Sequence, residues 1–298
     1  HPRFWGWVNG TGPATGMLAD LLAAGLNAHV AFGNQAPNEV ERRVIAWMVE
    51  LLGLPASASG ILVSSGSVAN LTGLTVGRDT ILPDVIQRGI RPLSGQPTVY
   101  GSDETHNSVD KMVGLLGLGR EAFRRIPIRP DFTADIPAIS RAIADDRARG
   151  MLPFAIVGTA GTVATGAIDD LVALADLATR EGLWFHVDAA FGAALALSPK
   201  LAPLLAGIER ADSIAFDFHK WFYVPYDAGC VLVRDGARHE RSFSPPASYL
   251  ASMDRGIAAR GVPFGRLGVD LSRGFRALKV WMSLLEHGAD RYGELVEQ

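Results

Sequence analysis

Cysteine is nearly missing from this chain: Cys230 is the only one among 298 residues. No disulfide can form within the chain, and the simplest setting is a reducing, cytoplasmic one. Net charge is small too, −3 from 28 Lys and Arg against 31 Asp and Glu. Nucleic-acid binding needs a clustered basic face. The one basic cluster, Arg120, Arg124, Arg125 and Arg129, is interleaved with Glu121 and Pro127 and reads as a solvated face. No apolar run reaches the length of a bilayer. No basic segment followed by an apolar one opens the chain, so neither a membrane span nor a signal peptide is expected. Internal repeats, low-complexity stretches and clear linkers are also missing. The chain opens at His1-Pro2-Arg3-Phe4 and closes at Glu297-Gln298 inside a helical pattern, which suggests one domain of a longer protein.

What is present is enough apolar material, 48% of residues, for a sizeable core. Helical spacing marks Met17 to Leu26 and Asn38 to Leu52, the second ended by Gly53 and Pro55. A short strand at Ile61-Leu62-Val63 leads into a helix from Val68 to about Val76. Further strands are expected at 98–101, 154–159, 183–187, 213–218 and 230–234, with helices at 136–149, 171–181 and 275–287. The last helix should turn Leu278, Trp281, Met282 and Leu285 inward. Residues 83–95 read as loop or broken helix, and 242–268, rich in Gly, Pro and Ser, as the most loop-like stretch. Short strands alternating with helices predict an α/β fold with a mostly parallel sheet.

Four places carry chemistry. Lys220 follows the strand-like run Ser213-Ile214-Ala215-Phe216-Asp217-Phe218-His219, hemmed in by Phe216, Phe218, Trp221 and Phe222. It is either a strand-end lysine reaching solvent or a partly desolvated amine able to form Schiff bases with aldehydes. Asp188, 32 residues earlier, ends another strand at His186-Val187-Asp188-Ala189-Ala190. Carboxyl ends of parallel strands are where open α/β sheets bind ligands, although an aspartate there can also be a plain helix N-cap. Ser64-Ser65-Gly66-Ser67 lies between a strand and a helix, which makes either a helix cap or an anion site. His106 lies just past a strand end, where an imidazole is structural, stacks on a planar ligand or moves a proton.

Taken in order, the phosphate loop, His106, Asp188-Ala189-Ala190 and His219-Lys220-Trp221 resemble the group II pyridoxal phosphate decarboxylases, most closely their aromatic amino acid branch. The resemblance covers essentially the whole chain, to Leu271-Ser272-Arg273-Gly274-Phe275 and beyond. It implies the large, cofactor-binding domain (1–298) of a fold type I enzyme, a seven-stranded sheet between helices, without the family's N-terminal segment and C-terminal small domain. It implies that Lys220 holds pyridoxal phosphate as a Schiff base, with His219 beside it. Asp188 would pair with the pyridine nitrogen, Ala190 would lie against one ring face and His106 on the other. Gly66, Ser67 and Ser65 would take the phosphate, and Thr162 would lie near the phenolic oxygen. Two positions depart from the pattern. Asp217 stands where some relatives have an asparagine near the phosphate, and Val163 where threonine is frequent. Tyr249, in the loop-like stretch, matches a tyrosine that a mobile loop carries over the partner subunit's site. There it would return a proton to the carbon that loses carbon dioxide. A homodimer is implied on the same ground.

Trp5, Trp7, His29 and Phe32 are candidates for an aromatic side-chain pocket or for ordinary packing, and the short Pro37-Asn38-Glu39-Val40-Glu41 segment weakens the aromatic assignment. The leading expectation is decarboxylation of an amino acid. The alternatives are an aldehyde synthase, a carbon–carbon lyase acting on phosphorylated sphingoid bases, and an inactive homologue that serves as an interaction module.

Overall fold

The computed structural model describes residues 8, 10–244 and 262–298. Seven strands form one sheet: β1 (Ser59–Val63), β2 (Pro97–Ser102), β3 (Phe123–Ile126), β4 (Leu152–Thr159), β5 (Trp184–Asp188), β6 (Ser213–Asp217) and β7 (Gly229–Val233), in the order β1-β7-β6-β5-β4-β2-β3. β7 pairs antiparallel with both β1 and β6, and every other pair is parallel. Six strands therefore end on the same edge. The inner strands are buried on both faces, which explains why β4, β5 and β6 read as continuous apolar runs rather than alternating ones.

Among the described residues the helices are α1 (Ala14–Leu26), α2 (Ala36–Leu51), α3 (Gly66–Ile81), α4 (Val85–Arg88), α5 (Ser108–Leu115), α6 (Ile136–Ala148), α7 (Leu171–Glu181), α8 (Gly236–Phe243) and α9 (Ala277–Val296). Side chains of Ser65, Asp135, Asp170 and Asp235 accept backbone N–H bonds at the starts of α3, α6, α7 and α8. Each replaces a partner that the first helical turn lacks. Gly182, in the left-handed conformation, ends α7.

α3 covers one face of β5, where Trp184, His186 and Asp188 point. α7 covers the other, where Phe185 meets Gly158 and Leu174. α3 lies unusually close to the strand because it presents glycine there. A Cβ on Gly77 would come 2.6 Å from the Trp184 ring, and one on Gly73 would come 2.8 Å from the His186 ring. None of the described helices is long and apolar enough to cross a membrane.

Three expectations are corrected. α5 and β3 exist although the sequence pattern did not suggest them. Arg124 and Arg125 lie on β3 and are tied down rather than simply solvated. Arg124 pairs with buried Asp146 at 2.8 Å, and Arg125 pairs with Asp110 while donating to the Asp103 and Thr105 carbonyls. In α9 the buried positions are Ala277, Lys279, Val280, Ser283, Tyr292 and Gly293; Leu278 and Trp281 pack half-buried against the core as expected, while Leu285 is exposed. The seam takes small residues because α1 comes close at Gly16, where an added Cβ would stand 3.3 Å from Ser283 Oγ.

Candidate active site

The candidate residues gather on the edge where six strands end, the place at which open α/β sheets bind ligands. β5 delivers Asp188 as its last residue, and β6 delivers Asp217, from which a tight turn carries His219 and Lys220. The turn is held by Phe218, Phe222 and Phe216, whose rings pack on one another at 5.1–6.1 Å. It is held also by the Phe218 N–H, which donates to the Ala228 carbonyl. A cleft is lined by Lys220, Asp188, Ala190, His106, Glu104 and Phe191, with Val8, Thr159, Gly161 and Val163 completing it.

Lys220 keeps about a quarter of its side chain in solvent, and its Nζ lies 3.1 Å from Asp217 Oδ2. Asp217 is buried, and its Oδ1 has no hydrogen-bond partner. His219 Nδ1 accepts the Ala228 N–H at 3.1 Å, so the ring proton sits on Nε2, 3.6 Å from Asp217 Oδ1. Burial lowers the pKa of His219, and Asp217 works against that shift. The Tyr226 ring stacks on the imidazole at 4.1 Å.

Asp188 is buried, with both carboxylate oxygens held. Oδ1 accepts the Ala190 N–H at 3.1 Å and Oδ2 accepts an Asn70 side-chain N–H at 2.9 Å. His106, half-buried, is 2.8 Å from Ser108 Oγ through Nδ1. Gly66 begins α3 after Ser65, whose Oγ caps the Val68 N–H. The Gly66 and Ser67 N–H groups lie in the first helical turn and have no intrahelical partner. A Cβ on Gly66 would come 2.7 Å from Asp217 Oδ2 and 3.4 Å from the Ala190 methyl, so these three positions converge.

Not every expected residue is brought into the cleft. The Thr162 hydroxyl is engaged in its own turn, 2.6 Å from Thr165 Oγ1 and accepting the Ala167 N–H, while its neighbours Gly161 and Val163 line the cleft. His29 and Phe32 stack on each other at 6.3 Å but do not line it. Trp5, Trp7 and Tyr249 lie outside the described residues. Asn70, Ser108, Glu104 and Phe191 were not anticipated. Asn70 had a signal: it is a polar side chain one turn past Gly66, on the helix face that also carries Gly73 and Gly77.

The arrangement brings together an amine and a buried carboxylate on neighbouring strand ends, with a helix N-terminus beside them, a set of groups able to take an electrophilic, anionic ligand. The profile of the pyridoxal-dependent decarboxylase conserved domain matches residues 1–298, and the chain belongs to that family. Aromatic-L-amino-acid decarboxylase from Bacillus atrophaeus is 37% identical over all of this chain and 60% of its own length. Phenylacetaldehyde synthase from Petunia hybrida is 30% identical over 96% of this chain and 58% of its own. The structure of Oryza sativa TDC with PLP and tryptamine superposes with a TM-score of 0.89 at 28% identity, over 99% of this chain and 63% of that one. The chain thus spans about 60% of the curated relatives it matches.

The residues present fit pyridoxal phosphate. The buried Asp188 carboxylate faces the cleft that Lys220 also lines, and Gly66 leaves open the space beside Ala190 that a side chain would fill. The cleft itself is narrow, 30 Å³, and Lys220, turned toward Asp217, forms one of its walls. Larger cavities lie elsewhere, such as one of 640 Å³ between α2 and Phe264, which has no lysine in its lining.

Proposed function

We propose that this chain is the cofactor-binding large domain of a pyridoxal phosphate-dependent decarboxylase that converts an L-amino acid, most fittingly an aromatic one, to its amine and carbon dioxide. The observation that carries the reading is the meeting of Lys220 and Asp188, from adjacent strand ends, in one cleft with His106 and Ala190. The aromatic preference rests on the Bacillus atrophaeus relative.

When bound, pyridoxal phosphate supplies an aldehyde for amines and a ring that accepts the electron pair of the breaking Cα–carboxylate bond. Lys220 supplies the amine that anchors the aldehyde. Asp188 would accept a hydrogen bond from the protonated ring nitrogen and so keep positive charge at that end of the ring. The Gly66 and Ser67 N–H groups take the phosphate at the start of α3, and His106 and Ala190 hold the ring in place. The Tyr249 hydroxyl, or His219 through its Nε2–H, returns a proton to Cα.

The reading includes a homodimer in the cytoplasm. α1 supports the first, because Met17, Leu18, Leu21, Leu22 and Leu26 leave an apolar face exposed. The single, buried Cys230 is compatible with the second.

The test is an absorbance spectrum of the purified full-length protein with pyridoxal phosphate, followed by L-DOPA, tryptophan, phenylalanine, histidine, glutamate and aspartate in turn, monitoring carbon dioxide and peroxide. The expected result is a band near the visible–ultraviolet boundary that Lys220→Ala removes, and carbon dioxide without peroxide from an aromatic substrate. Peroxide in step with carbon dioxide would move the assignment to an aldehyde synthase, the activity named for the Petunia hybrida relative. No band at all would overturn the cofactor assignment.

A further inference from the structure

Behind the cleft a chain of buried polar groups joins β6, β5, α3 and α5. Trp184 Nε1 lies 2.8 Å from Ser213 Oγ. Ser213 Oγ lies 2.8 Å from His186 Nδ1. His186 Nε2 lies 2.9 Å from Asn70 Oδ1. Asn70 Nδ2 lies 2.9 Å from Asp188 Oδ2 and 3.0 Å from Ser108 Oγ. Ser108 Oγ lies 2.8 Å from His106 Nδ1. Two ends of this chain touch residues of the cleft, and its middle, His186, is fully buried and touches none of the cofactor-facing groups directly.

The direction of every bond is fixed from the Asp188 end. An ionised Asp188 only accepts, so Asn70 must offer it the amide nitrogen, which turns Oδ1 toward His186. His186 then donates from Nε2 to Asn70 Oδ1, and its bare Nδ1 accepts the Ser213 hydroxyl hydrogen. The Trp184 indole, which only donates, fills a lone pair of Ser213 Oγ and leaves that hydrogen free for His186. The second amide hydrogen goes to Ser108 Oγ, whose hydroxyl hydrogen is left for His106 Nδ1. The Ser108 backbone N–H also points to that nitrogen, at 3.3 Å. His106 therefore carries its proton on Nε2. Burial lowers the His186 pKa to about 4, against an upward pull from Asp188, which keeps its ring in the single-proton form that this polarity uses.

We propose that His186 is a positioning residue: by donating from Nε2 it locks the Asn70 amide, which in turn orients the Asp188 carboxylate and, through Ser108, sets the tautomer of His106. Without the lock the Asn70 oxygen loses its donor, and the amide, still held through its nitrogen by Asp188 and Ser108, is freer to swing away from both. The close approach that makes this reach possible comes from Gly73, where a Cβ would stand 2.8 Å from the His186 ring and 2.9 Å from Ser213 Oγ. The inference rests on the reading that Asp188 and His106 face the cofactor, but its central claim about ring protons concerns the protein alone.

The test has two parts. In the full-length protein without cofactor, labelled with ¹⁵N-histidine, both His186 and His106 should show a protonated Nε2 and a bare Nδ1. His186→Gln and His106→Gln spectra assign the signals. Ser108→Ala, a small change, should broaden or shift the His106 pair while leaving His186 unmoved. Cofactor binding is then compared in His186→Gln, whose amide nitrogen can stand where Nε2 stood, and His186→Leu, which has no donor. His186→Leu should weaken pyridoxal phosphate binding about tenfold or more, on the scale of lost outer-shell partners at other cofactor sites. It should also shift the pH at which the bound cofactor's band titrates, while His186→Gln stays within about threefold of the parent. Equal affinity and an unchanged pH profile in His186→Leu would overturn the proposal, as would a proton on Nδ1 of either histidine. A parent protein that binds no cofactor defeats the functional reading instead, and the histidine spectra then decide the inference alone.

Discussion

A carboxylate 3.1 Å from the Lys220 amine gives that lysine a partner before any cofactor arrives. Asp217 stands also within reach of the Gly66 end of α3, where the phosphate is proposed to bind. It has no donor for Oδ1 and cannot itself donate while ionised. Two like charges a few ångströms apart repel by several kcal/mol even at a moderate effective dielectric, so Asp217 should weaken the phosphate site. Asp217→Asn is expected to tighten pyridoxal phosphate binding by about tenfold in equilibrium dialysis at neutral pH, with a smaller gain at high salt. Weaker binding in the variant would show that the carboxylate helps through Lys220 more than it hinders at the phosphate. At this scale the sequence made Lys220, Asp188, His106 and the Ser65-Gly66-Ser67 turn visible, because each follows a strand end. Asn70 gave only a faint signal, its place on the glycine face of α3, and Ser108 gave none. A lone polar residue in a helix has an ordinary explanation as a solvated position, and Asn70 acquires meaning only by touching Asp188, 118 residues away.

Among elements, the least legible were the ones whose side chains look like surface. β3 is a four-residue edge strand, half of it arginine, and charged residues on an edge strand also discourage pairing with another sheet. Its arginines became part of the fold through Asp146 on α6 and Asp110 on α5, and through the backbone carbonyls of Glu121, Asp103 and Thr105. In α9 the expectation held for Leu278 and Trp281, which pack against the core, and failed at Leu285: helical spacing selects the large apolar residues, whereas the close contact with α1 also selects small ones, Ala277, Val280 and Ser283. A buried ion pair does comparable work between elements. Glu41 on α2 and Arg273, before α9, meet at 2.6 Å with both side chains out of solvent. Glu41 also accepts the Leu62 N–H and Arg273 donates to the Leu62 carbonyl, so the pair clamps β1 to both. Removing one partner leaves an uncompensated charge, so Arg273→Met should cost about 3–5 kcal/mol in urea unfolding. The double variant Arg273→Met with Glu41→Leu should recover much of that loss. A single variant as stable as the parent would mean that water reaches Glu41.

For the whole molecule, the alternation of strands and helices already specified a mostly parallel sheet with the site along its carboxyl edge, since six strands must share that edge once β7 alone runs backwards. What the sequence could not show was how its buried histidines are charged, and this bears on global stability. His186 and His239 are both fully buried, and burial lowers each pKa from 6.5 to about 4. Between those values the unfolded chain binds protons that the folded one refuses, so stability rises with pH across that window. The contribution is complete above about pH 6.5 and is lost as pH falls toward 4. At about pH 5 the two rings together should cost roughly 4 kcal/mol relative to neutral pH, a large share of a typical domain's 5–15 kcal/mol. Asp146 and Asp227, whose pKa values are lowered, extend the loss to still lower pH, while buried Asp169 and Asp212, whose pKa values are raised, work against it. The urea midpoint of the cofactor-free full-length protein should therefore drop sharply from pH 7 to pH 5. Replacing His239, which bonds to Ser59 and not to the cleft, by Gln should make that drop smaller while leaving cofactor binding intact. A midpoint that does not move over this range would mean that the unfolded protein gains no protons over the folded one, and the two rings would have to titrate normally inside the fold.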